Sequence, residues 1–204
     1  MVELIRKALH DGVSAIEQLL EEQKISFIHE VGDLLARTFA KGNKVIIAGN
    51  GGSLCDASHF AEELTGFFRS YRQALPAIAL SEPGHLTCVG NDAGFEEVFS
   101  RGVEAYGKVD DVFIGLTTSG NSPNIVRAVE TAQKLGLTTV CFLGKTGGKL
   151  RGVADYELLI EGFSTSDRIQ EAHMTAIHII IEVLEEKLFS SKTSQASHGS
   201  AAGV

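Results

Sequence analysis

His59 and Glu63 stand four residues apart, and Gln170 and His178 eight apart, each pair in a stretch that reads as helix. Four residues make about one helical turn and eight about two, so each pair shares one face of its helix. If the two helices face each other, the pairs can hold a metal ion through two imidazole nitrogens and two oxygens, although an amide oxygen is a weak ligand for zinc. Glu63 and His178 can instead act as a proton-transfer pair. Taken singly, His59 with Glu63 also fits a surface pair on an amphipathic helix, and His178 a hydrogen-bonded core histidine. His178 is set among Ala176, Ile177, Ile179, Ile180 and Ile181, so an inward-facing imidazole there requires a polar partner, and Gln170 shares its face.

Two loops rich in small residues accompany these pairs. In Thr117-Thr118-Ser119-Gly120-Asn121-Ser122, the hydroxyls precede Pro123, which suits the first turn of a helix because its missing N–H costs little there. Free amides at a helix N-terminus, the positive end of the helix dipole and several hydroxyls can hold a phosphate without a lysine. An ordinary capped turn has the same composition. Gly49-Asn50-Gly51-Gly52-Ser53 also joins a strand to a helix, and its glycines let backbone amides approach a ligand closely. It has neither the Gly-Lys-Ser/Thr ending nor the dinucleotide spacing, so it gives no support for ATP or NAD, and a tight turn uses the same residues. Asn91-Asp92 follows Cys88-Val89-Gly90 and can reach the same strand ends, where Asp92 would bind a sugar hydroxyl; a turn or helix cap is the simpler reading.

The elements that must position these groups alternate. Two amphipathic helices come first, about Leu4 to Glu22 and Ile25 to Ala40, with apolar residues three and four apart. Short apolar runs follow at Val45 to Ala48, Ala77 to Leu80, Val112 to Leu116 and Thr139 to Leu143, which suit parallel strands buried on both faces. A fifth strand, Tyr156 to Ile160, leads to a helix from about Asp167 to Leu188, with Ser166 as its N-cap. The class is α/β: a doubly wound, mostly parallel five-stranded sheet flanked by helices, with ligands at the carboxyl ends of the strands. Residues 1–189 form one domain, and 190–204, composed of small and polar residues, read as a disordered tail.

Composition narrows the function. The chain of 204 residues is 44% hydrophobic and 22% charged, enough to bury a full core. A formal net charge of −8 argues against binding nucleic acid, whose affinity for proteins comes mainly from Lys and Arg on phosphates. No apolar run approaches the roughly 20 residues that span a bilayer, and the charged start does not resemble a secretory leader, so the expected location is cytoplasmic. Cys55, Cys88 and Cys141 are odd in number and widely spaced, which argues against a disulfide framework or a thiolate zinc site and leaves them as small buried apolar residues.

Gly49-Asn-Gly-Gly-Ser53, Cys55-Asp-Ala57, His59-Phe-Ala-Glu-Glu-Leu-Thr-Gly66, Gly90-Asn-Asp92, Thr118-Ser-Gly-Asn-Ser122 and Asp167-Arg-Ile-Gln-Glu-Ala-His173 together resemble the bacterial phosphoheptose isomerases, within the sugar isomerase domain superfamily. The resemblance covers nearly the whole chain before the tail. It implies conversion of sedoheptulose 7-phosphate to D-glycero-D-manno-heptose 7-phosphate, an entry step toward lipopolysaccharide heptose, by a homotetramer that uses its N-terminal helices in assembly and binds one zinc ion per subunit. It further implies that His59, Glu63, Gln170 and His178 ligate the zinc, and that Asn50, Gly51, Gly52, Glu63, Asn91, Asp92, Thr117, Thr118, Ser119, Ser122 and Gln170 contact substrate. Leu54 stands where some relatives place histidine, Thr117 where serine is common, and Phe67-Phe68 where relatives are often more polar; Arg69 stays outside the expected site.

An aldose–ketose interconversion moves a proton between adjacent carbons, which assigns Glu63 as base and His178 as acid. The competing class is a non-catalytic tetramer of similar fold that binds a replication initiator protein, which has no need of that acid/base pair. A sugar-phosphate-sensing regulator would carry a basic DNA-binding element, and the two N-terminal helices lack that character.

Overall fold

In a computed structural model, which describes residues 1–196, with side chains through residue 190, the first two helices are α1 (Val2–Glu17) and α2 (Glu22–Ala40), joined through a short 3₁₀ turn at Gln18–Leu20. The chain then winds β1 (Val45–Gly49), α3 (Gly52–Thr65), β2 (Ala77–Ala79), α4 (Pro83–Asp92), α5 (Ser100–Tyr106), β3 (Val112–Thr117), α6 (Pro123–Lys134), β4 (Thr138–Gly144), β5 (Tyr156–Ile160) and α7 (Ser166–Ala196). The strands lie in the order β2-β1-β3-β4-β5 and all pair in parallel. The expected class therefore holds, with a sheet that is parallel throughout.

Alternation along the strands explains why both sheet faces are covered. Val45, Ile47, Ile114, Leu116, Val140 and Phe142 point into a core shared with α2, α3 and α7. Their neighbours Ile46, Ala48, Phe113, Cys141 and Leu143 point into a second core under α5 and α6. Each fully buried side chain of this size contributes about 1.5–3 kcal/mol, so two continuous cores fix the strand register. That register sets the ends of β1, β3 and β4 side by side, with the loops that follow them on one edge.

Three expectations change. α7 runs to Ala196, past the expected end at Leu188, because the sequence offers no Gly or Pro before Gly199 to stop it; the rest of the expected tail, 197–204, lies outside the described residues. Ser166 belongs to the first turn of α7, and its hydroxyl meets Thr118 Oγ1 at 2.9 Å. Cys55 and Cys88 are exposed, on helix faces turned away from the cores, while Cys141 is buried and burial pushes its thiol far up.

α1 is the outlier in packing. It buries only Gly12 and Ala15, and leaves Leu4, Ile5, Leu9 and Val13 each more than half exposed. Beside it, Val13, Ile16, Leu20, Ile25, Ile28 and Ile179 line an apolar groove of about 570 Å³.

Candidate active site

At the carboxyl edge of the sheet, a cavity of about 330 Å³ is lined by Asn50, Gly52, Ser53, Leu116, Thr117, Thr118, Ser122, Ser166 and Gln170. Three helices begin at its wall: α3 at Gly52, α6 at Pro123 and α7 at Ser166. The positive dipole ends of these helices border one polar space, which is a physical basis for binding an anion. Hydrogen bonds fix its lining. Thr117 Oγ1 lies 3.2 Å from Ser122 Oγ, and Gln170 Nε2 donates to Ser53 Oγ at 3.2 Å.

The glycines here answer to close packing. A Cβ on Gly52 would stand 2.7 Å from the Gln170 amide. Gly120 has φ +64, a left-handed conformation that favours glycine, and a Cβ there would collide with the Gly147 carbonyl. Ser119 turns into its own loop, accepting a bond from Asn121 N at 3.2 Å. Asn50 Nδ2 donates to Asn124 Oδ1 at 2.9 Å, and Asn124 Nδ2 returns a bond to Asn50 Oδ1, also at 2.9 Å. Asn124 is buried in the first turn of α6.

Further along α3 and α7 lies the second cluster. One donor atom each from His59, Glu63 and His178 falls within 4.8 Å of the others. His59 Nε2 is 3.2 Å from Glu63 Oε1, and the His178 ring meets the His59 ring edge-on at 5.2 Å while stacking on Phe68 at 5.6 Å. Two imidazoles and a carboxylate at this spacing fit a divalent cation. Gln170 sits about 12 Å of helix rise before His178, with its amide on Ser53. Asp56, one turn before His59, has its carboxyl pushed up to about 6 by burial, against the pull of His59, and its Oδ2 has no hydrogen-bond partner.

Arg72 ties this end together. Its guanidinium donates to the carbonyls of Glu63 at 2.7 Å, Leu64 at 2.8 Å and Gly66 at 3.0 Å, and pairs with Glu185 of α7 at 2.7 Å. It thereby satisfies the open C-terminal carbonyls of α3 and holds that helix end, with Glu63, against α7. Arg69 instead bonds Glu182 at 2.5 Å and lies over the Phe68 ring.

The structure thus gathers Asn50, Gly52, Thr117, Thr118, Ser122 and Gln170 at the cavity, with Gly51 beside them in the loop, and His59, Glu63 and His178 at the second cluster. Asn91 and Asp92 are not brought to the cavity; they are exposed at the end of α4, bonded to each other at 2.6 Å. Asn124, Ser166 and Arg72 were absent from the expected site. The only sequence signals for the first two were their places beside Pro123 and at the start of α7.

A five-stranded parallel sheet thus carries a hydroxyl-rich cavity at its carboxyl edge beside the His59, Glu63 and His178 cluster, and the SIS domain family matches residues 9–144. The phosphoheptose isomerase of Fusobacterium nucleatum is 59% identical over 83% of this chain and 87% of its own, and that of Sodalis glossinidius 49% identical over 91% and 96%. The solved structure of a phosphoheptose isomerase from Francisella tularensis superposes with a TM-score of 0.85 at 31% identity, covering 91% of this chain and 98% of that one. The chain belongs to the phosphoheptose isomerases. The non-catalytic alternative is not favoured.

Proposed function

We propose that this chain interconverts sedoheptulose 7-phosphate and D-glycero-D-manno-heptose 7-phosphate in the cytoplasm, supplying heptose for lipopolysaccharide or related glycans. The observation that carries the reading is the pairing of two unlike clusters on the same two helices. Ser53 and Gln170 border the anion cavity, while His59 lies about 9 Å of helix rise beyond Ser53 and meets His178. That offset suits an extended sugar with its phosphate in the cavity and its carbonyl carbons at Glu63 and His178.

In this pose the Thr117, Thr118, Ser119 and Ser122 loop holds the phosphate with amides and hydroxyls, and Gln170 orients a hydroxyl along the chain. Glu63 has Oε1 turned to His59, leaving its other oxygen to take the proton from C1 of the ketose. His178, through a ring N–H not engaged with a metal, gives its proton to the C2 carbonyl oxygen, forming the enediol. Return of a proton to C2 and loss of one from the C1 hydroxyl complete the aldose. Half-burial of Glu63 and His178 limits water at the reacting carbons.

His59, Glu63 and His178 would hold the metal, for which two imidazole nitrogens and a carboxylate favour zinc; Gln170 would join as fourth ligand only by leaving Ser53. When bound, the ion supplies charge stabilisation for the developing oxyanion. The exposed stripe of α1 and the apolar groove beside it support assembly, and we assign the protein as a homotetramer. A substrate contact from Asn91 and Asp92 would then come from a neighbouring subunit. Incubating metal-replete protein with sedoheptulose 7-phosphate and following aldose phosphate by NMR tests the reading; no turnover by folded, metal-loaded protein rejects it.

A further inference from the structure

We infer that Asn124 is a positioning residue that latches Asn50 to α6 and so makes two separate loops act as one phosphate cradle. This rests on the phosphosugar reading above. Asn50 follows β1 and Asn124 lies in the first turn of α6, so their paired amides join the loop after β1 to the loop after β3. Both bonds are 2.9 Å, and they occupy the amide N–H₂ and the oxygen of Asn50 on one partner. The orientation of Asn124 is fixed independently, because its Oδ1 also accepts from Ile125 N at 3.0 Å. With Oδ1 held on that amide, Nδ2 is left to face Asn50.

Burial makes the latch cooperative. Asn124 is 2% exposed, so its amide left without Asn50 is unsatisfied where water does not readily replace the lost partner, while the half-buried Asn50 left without Asn124 is no longer held to α6. Asn50 and Ser122 both border the anion cavity, with Asn124 immediately behind them. The role of Asn50 is therefore to hold the following Gly51-Gly52 backbone at a fixed distance from the Ser122 end of the other loop, with its own amide turned to Asn124 and away from substrate.

A double-mutant cycle separates this from a direct contact. Inhibition of the isomerase by inorganic phosphate and its KM for sedoheptulose 7-phosphate are measured for the wild type, Asn50→Ala, Asn124→Ala and the double variant, beside thermal melting. Each single variant should weaken phosphate inhibition about tenfold, and the double variant should be no worse than either single, because one lost partner already opens the latch. Losses that multiply in the double variant would show that Asn50 touches substrate on its own, and overturn the proposal. A lower melting temperature with unchanged phosphate inhibition in Asn124→Ala would reduce Asn124 to a core residue and also overturn it. If Asn124→Ala does not fold, Asn124→Ser, which keeps a polar group for the Ile125 amide but is too short to reach Asn50, takes its place. A wild type that turns over the sugar while these variants behave additively rejects the latch alone; a wild type without turnover rejects the function.

Discussion

The imidazoles of His59 and His178 meet edge-on at 5.2 Å, although the two residues are carried by helices more than a hundred residues apart in the chain. Glu63 reaches the same point from one turn beyond His59, so the pair of rings and the carboxylate form one unit. The acid/base role proposed for it predicts that Glu63→Gln and His178→Gln each slow isomerisation by about 10²–10⁴-fold. Both changes keep side-chain volume nearly constant, so light scattering should show the assembly unchanged. Near-normal rates from both folded variants would reject the assignment.

The proposed zinc site rests on the same cluster. His59→Ala with His178→Ala removes both imidazole donors and should abolish stoichiometric zinc in purified protein, whereas replacing Cys55, Cys88 and Cys141 with serine or alanine should leave it in place. The cysteines are dispersed, two on exposed helix positions and one inside the sheet. Elemental analysis decides between them. Zinc that survives the histidine variant and disappears with the cysteines would leave the polar cluster to proton transfer alone.

For the phosphate end, Ser122→Ala should weaken binding by about 1–2 kcal/mol, the worth of a charge-assisted hydrogen bond. Ser119→Ala should cost less in direct contact, because the Ser119 hydroxyl already accepts from Asn121 N and acts mainly by shaping the loop. Calorimetry with a Glu63→Gln background measures both. Equal, negligible effects would return the loop to an ordinary capped turn.

What the sequence disclosed and what it concealed follow from the reach of a pattern. Strands such as Val112 to Leu116 and Thr139 to Leu143 are legible because burial on both faces demands continuous apolar runs. The four-residue spacing of His59 and Glu63 likewise predicted a shared helix face, which the structure shows. The partners of Asn50, Arg72 and Thr118 were hidden because Asn124, Glu185 and Ser166 are ordinary cap or surface types whose pairing depends on which strands are neighbours. The helical setting of Asn91-Asp92 was hidden for a related reason. The preceding Glu82-Pro83-Gly84 resembles a turn, yet Glu82 caps α4 by accepting from Gly84 N at 2.9 Å and His85 N at 2.5 Å, so the helix runs through to Asp92.

Assembly should fail when the exposed stripe of α1 is charged. Leu9 is 65% exposed, so Leu9→Glu does little to the fold of one subunit, yet it places a carboxylate in the face that another copy would cover. Sedimentation of Leu9→Glu should show smaller species than the wild type. A variant that sediments as the wild type and retains full activity would remove α1 from the interface.

The last prediction concerns acid. His173 is wholly buried on α7, donating from Nε2 to the Leu143 carbonyl at 2.9 Å, and its Nδ1 has no partner. Burial lowers its pKa to about 4 from 6.5, so in the folded protein the ring stays neutral while the unfolded chain takes up a proton across that interval. The unfolded state then binds more protons than the folded one, and stability falls as pH drops from about 6.5 to about 4, by at most about 3 kcal/mol from this group. His173→Gln retains a donor for the Leu143 carbonyl but has nothing to protonate. Chemical denaturation at fixed protein concentration should therefore show the variant losing less stability than the wild type between pH 6.5 and 4.5, with the two curves running parallel above pH 7. Parallel loss throughout the acid range would mean that the His173 ring is not the buried neutral group responsible.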